Sequence, residues 1–318
     1  MPTEKCTFPR DPVRNPRSVV FGGSLSGART LRSDSRNKTW DGMRSLFTFF
    51  AVVYVVSWSL FAAGAAIAAR AGPSSSGLLF VSDAVTLLGV ITPSLVALAL
   101  TVRGEGRAGA VALLRRTVQG SAGARWYVFA IGYFAAIKLS AALLHRLATG
   151  AWPRFGQTPL IVMAGAILLS TPVQAGEEIG WRGYALPRLA AHLGLAGASV
   201  ALGIFWACWH LPFFFIRGTD TLGQSFPVYL LQVTAISVAM AWLYWRTQGS
   251  LLLVMLFHAA INNTKDIVPS AVPGATNPLA LSSSLVAWLT LALLWICAAY
   301  FLARMRGAQL KGPERLRG

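Results

Sequence analysis

The chain has 318 residues, of which 55% are hydrophobic and only 12% charged, with a formal net charge of +17. Soluble domains carry about 25% charged residues, so an ordinary soluble domain is excluded. The basic residues gather at both ends and in one loop between apolar runs, with no aromatic-basic groove pattern, which speaks for membrane topology and against nucleic-acid binding.

In chain order, residues 1–44 are polar and rich in Arg, Ser, Gly and Pro, and read as a disordered basic tail. Met43 stands directly before the first apolar run, so translation could start there as well as at Met1. Ser45 to Ala69 is uncharged and exceeds the roughly 20 residues a span needs. It is too long for a signal-peptide core of about 7–15 residues. Further spans are expected over 78–102, 126–147, 158–182, 195–215, 226–245, 250–267 and 282–303. The expected fold is therefore an all-α polytopic bundle of about eight transmembrane helices, with a membrane domain over 45–303. A basic tail over 304–318 suits contact with anionic lipid. Cys6, Cys208 and Cys297 show no CxxC spacing and suggest neither a disulfide framework nor a thiolate metal site.

Charge placement sets the expected orientation. With the N-terminus in the cytoplasm, 22 of the 28 lysines and arginines fall on the cytoplasmic side, five outside, and Lys138 lies within the third span. The positive-inside rule then puts both termini in the cytoplasm of a multi-pass inner- or plasma-membrane protein. Trp126, Trp242 and Trp245 fall at expected inner boundaries and Trp152 at an outer one, where interfacial tryptophans belong.

The chemistry concentrates in Gly176-Glu177-Glu178-Ile179-Gly180-Trp181-Arg182, which follows the apolar run Leu160 to Val173. One acidic residue at a helix centre costs about 2.5–3.5 kcal/mol on insertion scales, so two adjacent ones need a reason. On a helix Glu178 and Arg182 are i,i+4 and can pair on one face, whereas Glu177 points about 100° away. One glutamate is thus expected to be structural and the other free for chemistry; a salt-bridged helix end in the headgroup zone is the plainer alternative. Two later segments carry the remaining polar groups: Trp206-Ala-Cys-Trp-His210 in the fifth run, and His258 with Asn262, on one helix face, in the seventh.

Depth brings them together. The midpoint between Glu177 and His210 falls at Gly194, a natural turn residue, so a helical hairpin turning there would place both at a similar depth, roughly 25 Å from the turn. This needs the fourth helix to continue past Arg182 despite Pro187. A carboxylate in such a cluster suits a general base for water. His210 could share that water or bind a metal beside Glu177, and His258 and Asn262 offer donors for an oxyanion. The chain contains no HExxH, so metal ligands would have to come from separate helices.

Glu177-Glu178-Ile-Gly-Trp-Arg182 resembles the EExxxR motif of the CPBP family, the CAAX-protease and bacteriocin-processing (abortive-infection) intramembrane proteases. Trp206-xxx-His210 resembles that family's FxxxH motif and His258-xxx-Asn262 its HxxxN motif, in the same order, over about residues 158–265. The resemblance implies that Glu177 and His210 activate water, that His258 and Asn262 stabilise the oxyanion, and that Glu178 and Arg182 support the site. It also implies zinc or another divalent metal as a candidate cofactor, held by Glu177, His210 and His258, although a metal-free glutamate mechanism is equally open. Trp206 stands where the family usually has Phe, an aromatic exchange outside the implied chemistry that bears on pocket shape. The expected activity is an intramembrane endopeptidase acting on a membrane or lipid-anchored protein or peptide, which need not be prenylated. The alternatives are a proton-coupled transporter, disfavoured because no internal repeat is evident, and a catalytically silent scaffold or immunity protein.

Overall fold

The computed structural model describes residues 25–71, 75–120, 122–221, 223–270, 277–308 and 310, with side chains from Gly42 onward. Cys6, the first 24 residues of the expected N-terminal tail and most of the expected C-terminal tail lie outside these. Contacts divide the chain into a unit over Met1–Asp41, of which only helical backbone from Leu25 is described, and a unit over Gly42–Gly318. Everything below concerns the second.

The described residues form helices joined by loops, with no strand among them, as in a polytopic bundle: α1 (Leu25–Arg70), α2 (Ser76–Arg115), α3 (Ala124–Thr149), α4 (Leu160–Ser170), α5 (Ala175–Glu178), a π-helical segment Ile179–Ala185, α6 (Leu186–Trp209), α7 (Phe226–Arg246), α8 (Leu251–Thr264) and α9 (Leu285–Met305). Six helical stretches among them are long and apolar enough to cross a membrane. Of the eight expected spans, this measure merges two and omits one. The fourth and fifth runs form one helical stretch, Leu160–Trp209, broken by the left-handed φ of 66° at Gly194. The seventh is α8, only 14 residues and about 21 Å long, shorter than the roughly 30 Å of bilayer hydrocarbon. Buried on nearly all sides, α8 is a core helix.

The break at Gly194 folds the chain back on itself. Trp181 packs edge-on against Trp209 at 5.8 Å between ring centroids, which a straight helix over this span could not allow. Helicity passes Pro187 because the π-helical segment ends just before α6, and the proline sits in the first turn of the new helix, where its missing N–H costs nothing.

α2 is the brace beneath this hairpin. Pro93 lies inside α2 and leaves the carbonyl of Gly89 without its helical donor; Ser57 Oγ of α1 donates to it at 2.8 Å. Gly180 is what lets the two segments meet, since a Cβ there would stand 2.6 Å from the backbone carbonyl carbon and oxygen of Pro93. Ser94 Oγ adds a 2.6 Å bond to the carbonyl of Ala175. Beyond a break at Gly106, where a loop was expected, α2 continues to Arg115 and returns Ala110 and Leu113 to the core. Ser225, Ser250 and Ser284 cap the N-termini of α7, α8 and α9 by accepting a backbone N–H in the first turn.

Lys138 faces the bundle. It is 2% exposed, and its Nζ donates to Ser270 Oγ at 2.7 Å. His192 is exposed, and His145 Nδ1 lies 3.0 Å from the carbonyl of Ala151 at the end of α3.

Candidate active site

The two glutamates part company as helix geometry demands. Glu178 is fully buried and accepts from Arg182 NH1 at 2.9 Å through Oε1 and 3.1 Å through Oε2. His258 Nδ1 from α8 meets the same Oε1 at 2.8 Å. A carboxylate can only accept, so Nδ1 carries the proton and Nε2 is the ring nitrogen left for the site. The other two guanidinium nitrogens of Arg182 have no hydrogen-bond partner among the described residues, but the Trp206 ring covers the cation at 4.2 Å. That cation–π contact offsets part of the cost of burying an incompletely paired charge.

Glu177 takes a different partner. Its Oε2 accepts from the indole Nε1 of Trp206 at 2.8 Å, and Oε1 has no protein donor among the described residues. His210, at the end of α6, is half-buried, and its Nδ1 donates to the backbone carbonyl of Trp206 at 2.8 Å. Its Nε2 is therefore the free base nitrogen. The His210 ring lies 5.7 Å from that of Trp206, and the His258 ring meets the same indole edge-on at 5.2 Å. Five expected residues, Glu177, Glu178, Arg182, His210 and His258, are thus gathered around one tryptophan that was expected to affect only pocket shape. The signal for its larger part was present in the sequence: unlike Phe, Trp carries an N–H donor.

Asn262 stands apart from this cluster. One turn beyond His258, it is exposed, makes no side-chain hydrogen bond among the described residues, and lines a cavity of about 260 Å³ with Phe155, Met163, Asn263 and Asp266. Its neighbour Asn263 is structurally engaged, donating to Ser170 Oγ at 3.0 Å and to the carbonyl of Ala259 at 2.8 Å.

The donor set bears on the expected metal. His258 directs its Nδ1 to Glu178, Glu177 gives Oε2 to Trp206, and no three His, Cys, Asp or Glu side chains among the described residues gather as metal ligands would. Glu177 Oε1, His210 Nε2 and His258 Nε2 nonetheless each keep a ligand atom without a protein hydrogen bond among the described residues, and a ring N–H held by a carboxylate or carbonyl is how metal-bound histidines are oriented.

Comparison with known proteins falls on these same helices. Residues 155–264 match the family of type II CAAX prenyl endopeptidases described as Rce1-like. The matched segment runs from just before α4 to the last residue of α8 and includes all the site residues above. CAAX prenyl protease 2 of Methanococcus maripaludis is 31% identical over 98 residues, covering 29% of this chain and 36% of that protein. The match thus spans about a third of each, and α1, α2, α3 and α9 lie outside the family segment.

Proposed function

We propose that the protein is an intramembrane endopeptidase of CAAX-protease type, cleaving a membrane or lipid-anchored peptide with water activated by Glu177 and His210. The observation that carries this reading is that Trp206 holds both residues, leaving Glu177 Oε1 and His210 Nε2 free to take hold of one water. The family match over the same helices supports it.

In the proposed reaction Glu177 accepts a proton as the water oxygen bonds to the scissile carbonyl carbon. The carbonyl π pair moves to oxygen. The donors proposed for that oxyanion come from α8, the His258 ring on its Nε2 side and the Asn262 amide from the cavity side. The C–N bond then breaks, the proton held by Glu177 or His210 passes to the leaving amine, and a carboxylate and an amine are released. Every step is written with the chain's own side chains.

The proposed orientation places both termini in the cytoplasm of the inner or plasma membrane, from the 22-to-5 distribution of basic residues. The test of the activity is incubation of purified protein with a peptide ending Cys-aliphatic-aliphatic-X, with and without a lipid on the cysteine, and mass analysis of the products. A single new carboxyl terminus is expected from the wild type and from neither Glu177→Gln nor His210→Ala.

A further inference from the structure

We propose that Trp206 is the positioning residue of the catalytic pair, its side chain fixing Glu177 and its backbone fixing His210, so that one residue sets the geometry of both. This rests on the endopeptidase reading and extends it to a residue outside the expected chemistry.

Three features of the local structure carry the inference. The first is the indole N–H, which sits 2.8 Å from Glu177 Oε2 and leaves Oε1 as the oxygen of that carboxylate without a protein donor among the described residues. A hydrogen bond to a charged acceptor is directional and roughly twice as strong as a neutral one, so it restrains rotation of the carboxylate. The second is helix termination. In a continuing helix the Trp206 carbonyl would accept the backbone N–H of His210; here α6 ends and that N–H turns to the carbonyl of Ala207 at 3.1 Å. The freed carbonyl of Trp206 takes His210 Nδ1 instead, at 2.8 Å, which fixes the tautomer with Nε2 as the base. The third is the indole's own restraint. It is 4% exposed, with Arg182 over one face and the His258 ring against it. Turning it away would uncover a fully buried guanidinium.

A phenylalanine at this position could still cover Arg182 and leave the backbone carbonyl in place, but it would donate nothing to Glu177. The two halves of the clamp are therefore separable. Removing only the N–H should leave His210 and the Arg182 contact intact while loosening the base.

The experiment compares Trp206→Phe, and the isostere with 3-benzothienylalanine at 206, with the wild type. It measures kcat and KM separately on a cleavable model peptide, melting in detergent, and the ultraviolet resonance Raman band of the indole N–H, assigned to Trp206 by difference from Trp206→Phe. Both variants should lose about 10- to 100-fold in kcat, as expected for one hydrogen bond to a charged group. KM should stay within about twofold and melting within a few degrees. The indole band should report a hydrogen-bonded N–H in the wild type and a free one in Glu177→Leu. Wild-type kcat in both variants, or a band unchanged in Glu177→Leu, overturns the proposal. If Trp206→Phe fails to fold, the shape-preserving isostere decides the matter by the same readings. A wild type that cleaves nothing while its indole band responds to Glu177→Leu defeats the endopeptidase reading, and the catalytic role of Trp206 with it, but leaves the contact standing.

Discussion

His258 Nδ1 lies 2.8 Å from Glu178 Oε1, across 80 residues of sequence, on the carboxylate oxygen that also receives Arg182 NH1. Glu178 is therefore more than the partner of its own helix neighbour. It ties α8 to the hairpin and orients the ring proposed to face the oxyanion, so the structural and chemical roles of the EExxxR segment meet at this atom.

Glu178→Gln should consequently lower both stability and activity. Breaking a buried ion pair costs about 3–5 kcal/mol because the remaining charge stays uncompensated. Membrane abundance and melting in detergent should fall for Glu178→Gln and for Arg182→Gln, and the double variant should lose less than the sum of the two. Additive losses would show that the pair is not coupled.

Gly180→Ala tests the brace beneath the site. The new methyl would stand 2.6 Å from backbone atoms of Pro93, which cannot swing aside as a side chain could. Overpacking of this kind costs about 1–3 kcal/mol, so the melting temperature should drop. Gly165→Ala, where no atom lies within 4 Å of the added methyl, is the matched control and should melt like the wild type.

Much of this site was legible in the sequence because helical spacing fixes angles. The i,i+4 relation of Glu178 and Arg182, the divergence of Glu177, and a turn at Gly194 follow from 3.6 residues per turn and one turn-forming residue. What periodicity could not supply was side-chain choice between helices. Nothing in the spacing assigns the His258 ring to Glu178 or the Trp206 indole to Glu177, since both contacts depend on how three helices pack. Helix α8 is a related case: apolar content alone does not say that so short a helix is buried on nearly all sides. Asn262 shares the helix-face spacing of His258, yet it is exposed one turn away, beside a cavity rather than in the buried cluster.

Orientation can be read with topology reporters. Fusions after Arg125 and at the C-terminus should report cytoplasm, and a fusion after Gly150 the outside, as the distribution of basic residues requires. A C-terminal reporter on the outside would refute the proposed orientation.

The side-chain mechanism also makes a prediction about metal. Protein stripped with chelator and shown by elemental analysis to hold far less than one divalent ion per chain should keep its cleavage rate within about twofold. Activity lost on stripping and restored by one ion per chain would instead show that the donors rearrange into a metal site, which needs deprotonated ligands from at least three side chains.

The central claim is that Glu177 activates the water, and the decisive measurement is the cleavage rate of purified, folded Glu177→Gln on a peptide the wild type cuts. Glutamine keeps the size of the side chain and an oxygen to accept from the Trp206 indole, so melting should match the wild type. The rate should fall by the roughly 10²- to 10⁴-fold that loss of a general base produces. A folded Glu177→Gln protein that cleaves at the wild-type rate would contradict the account.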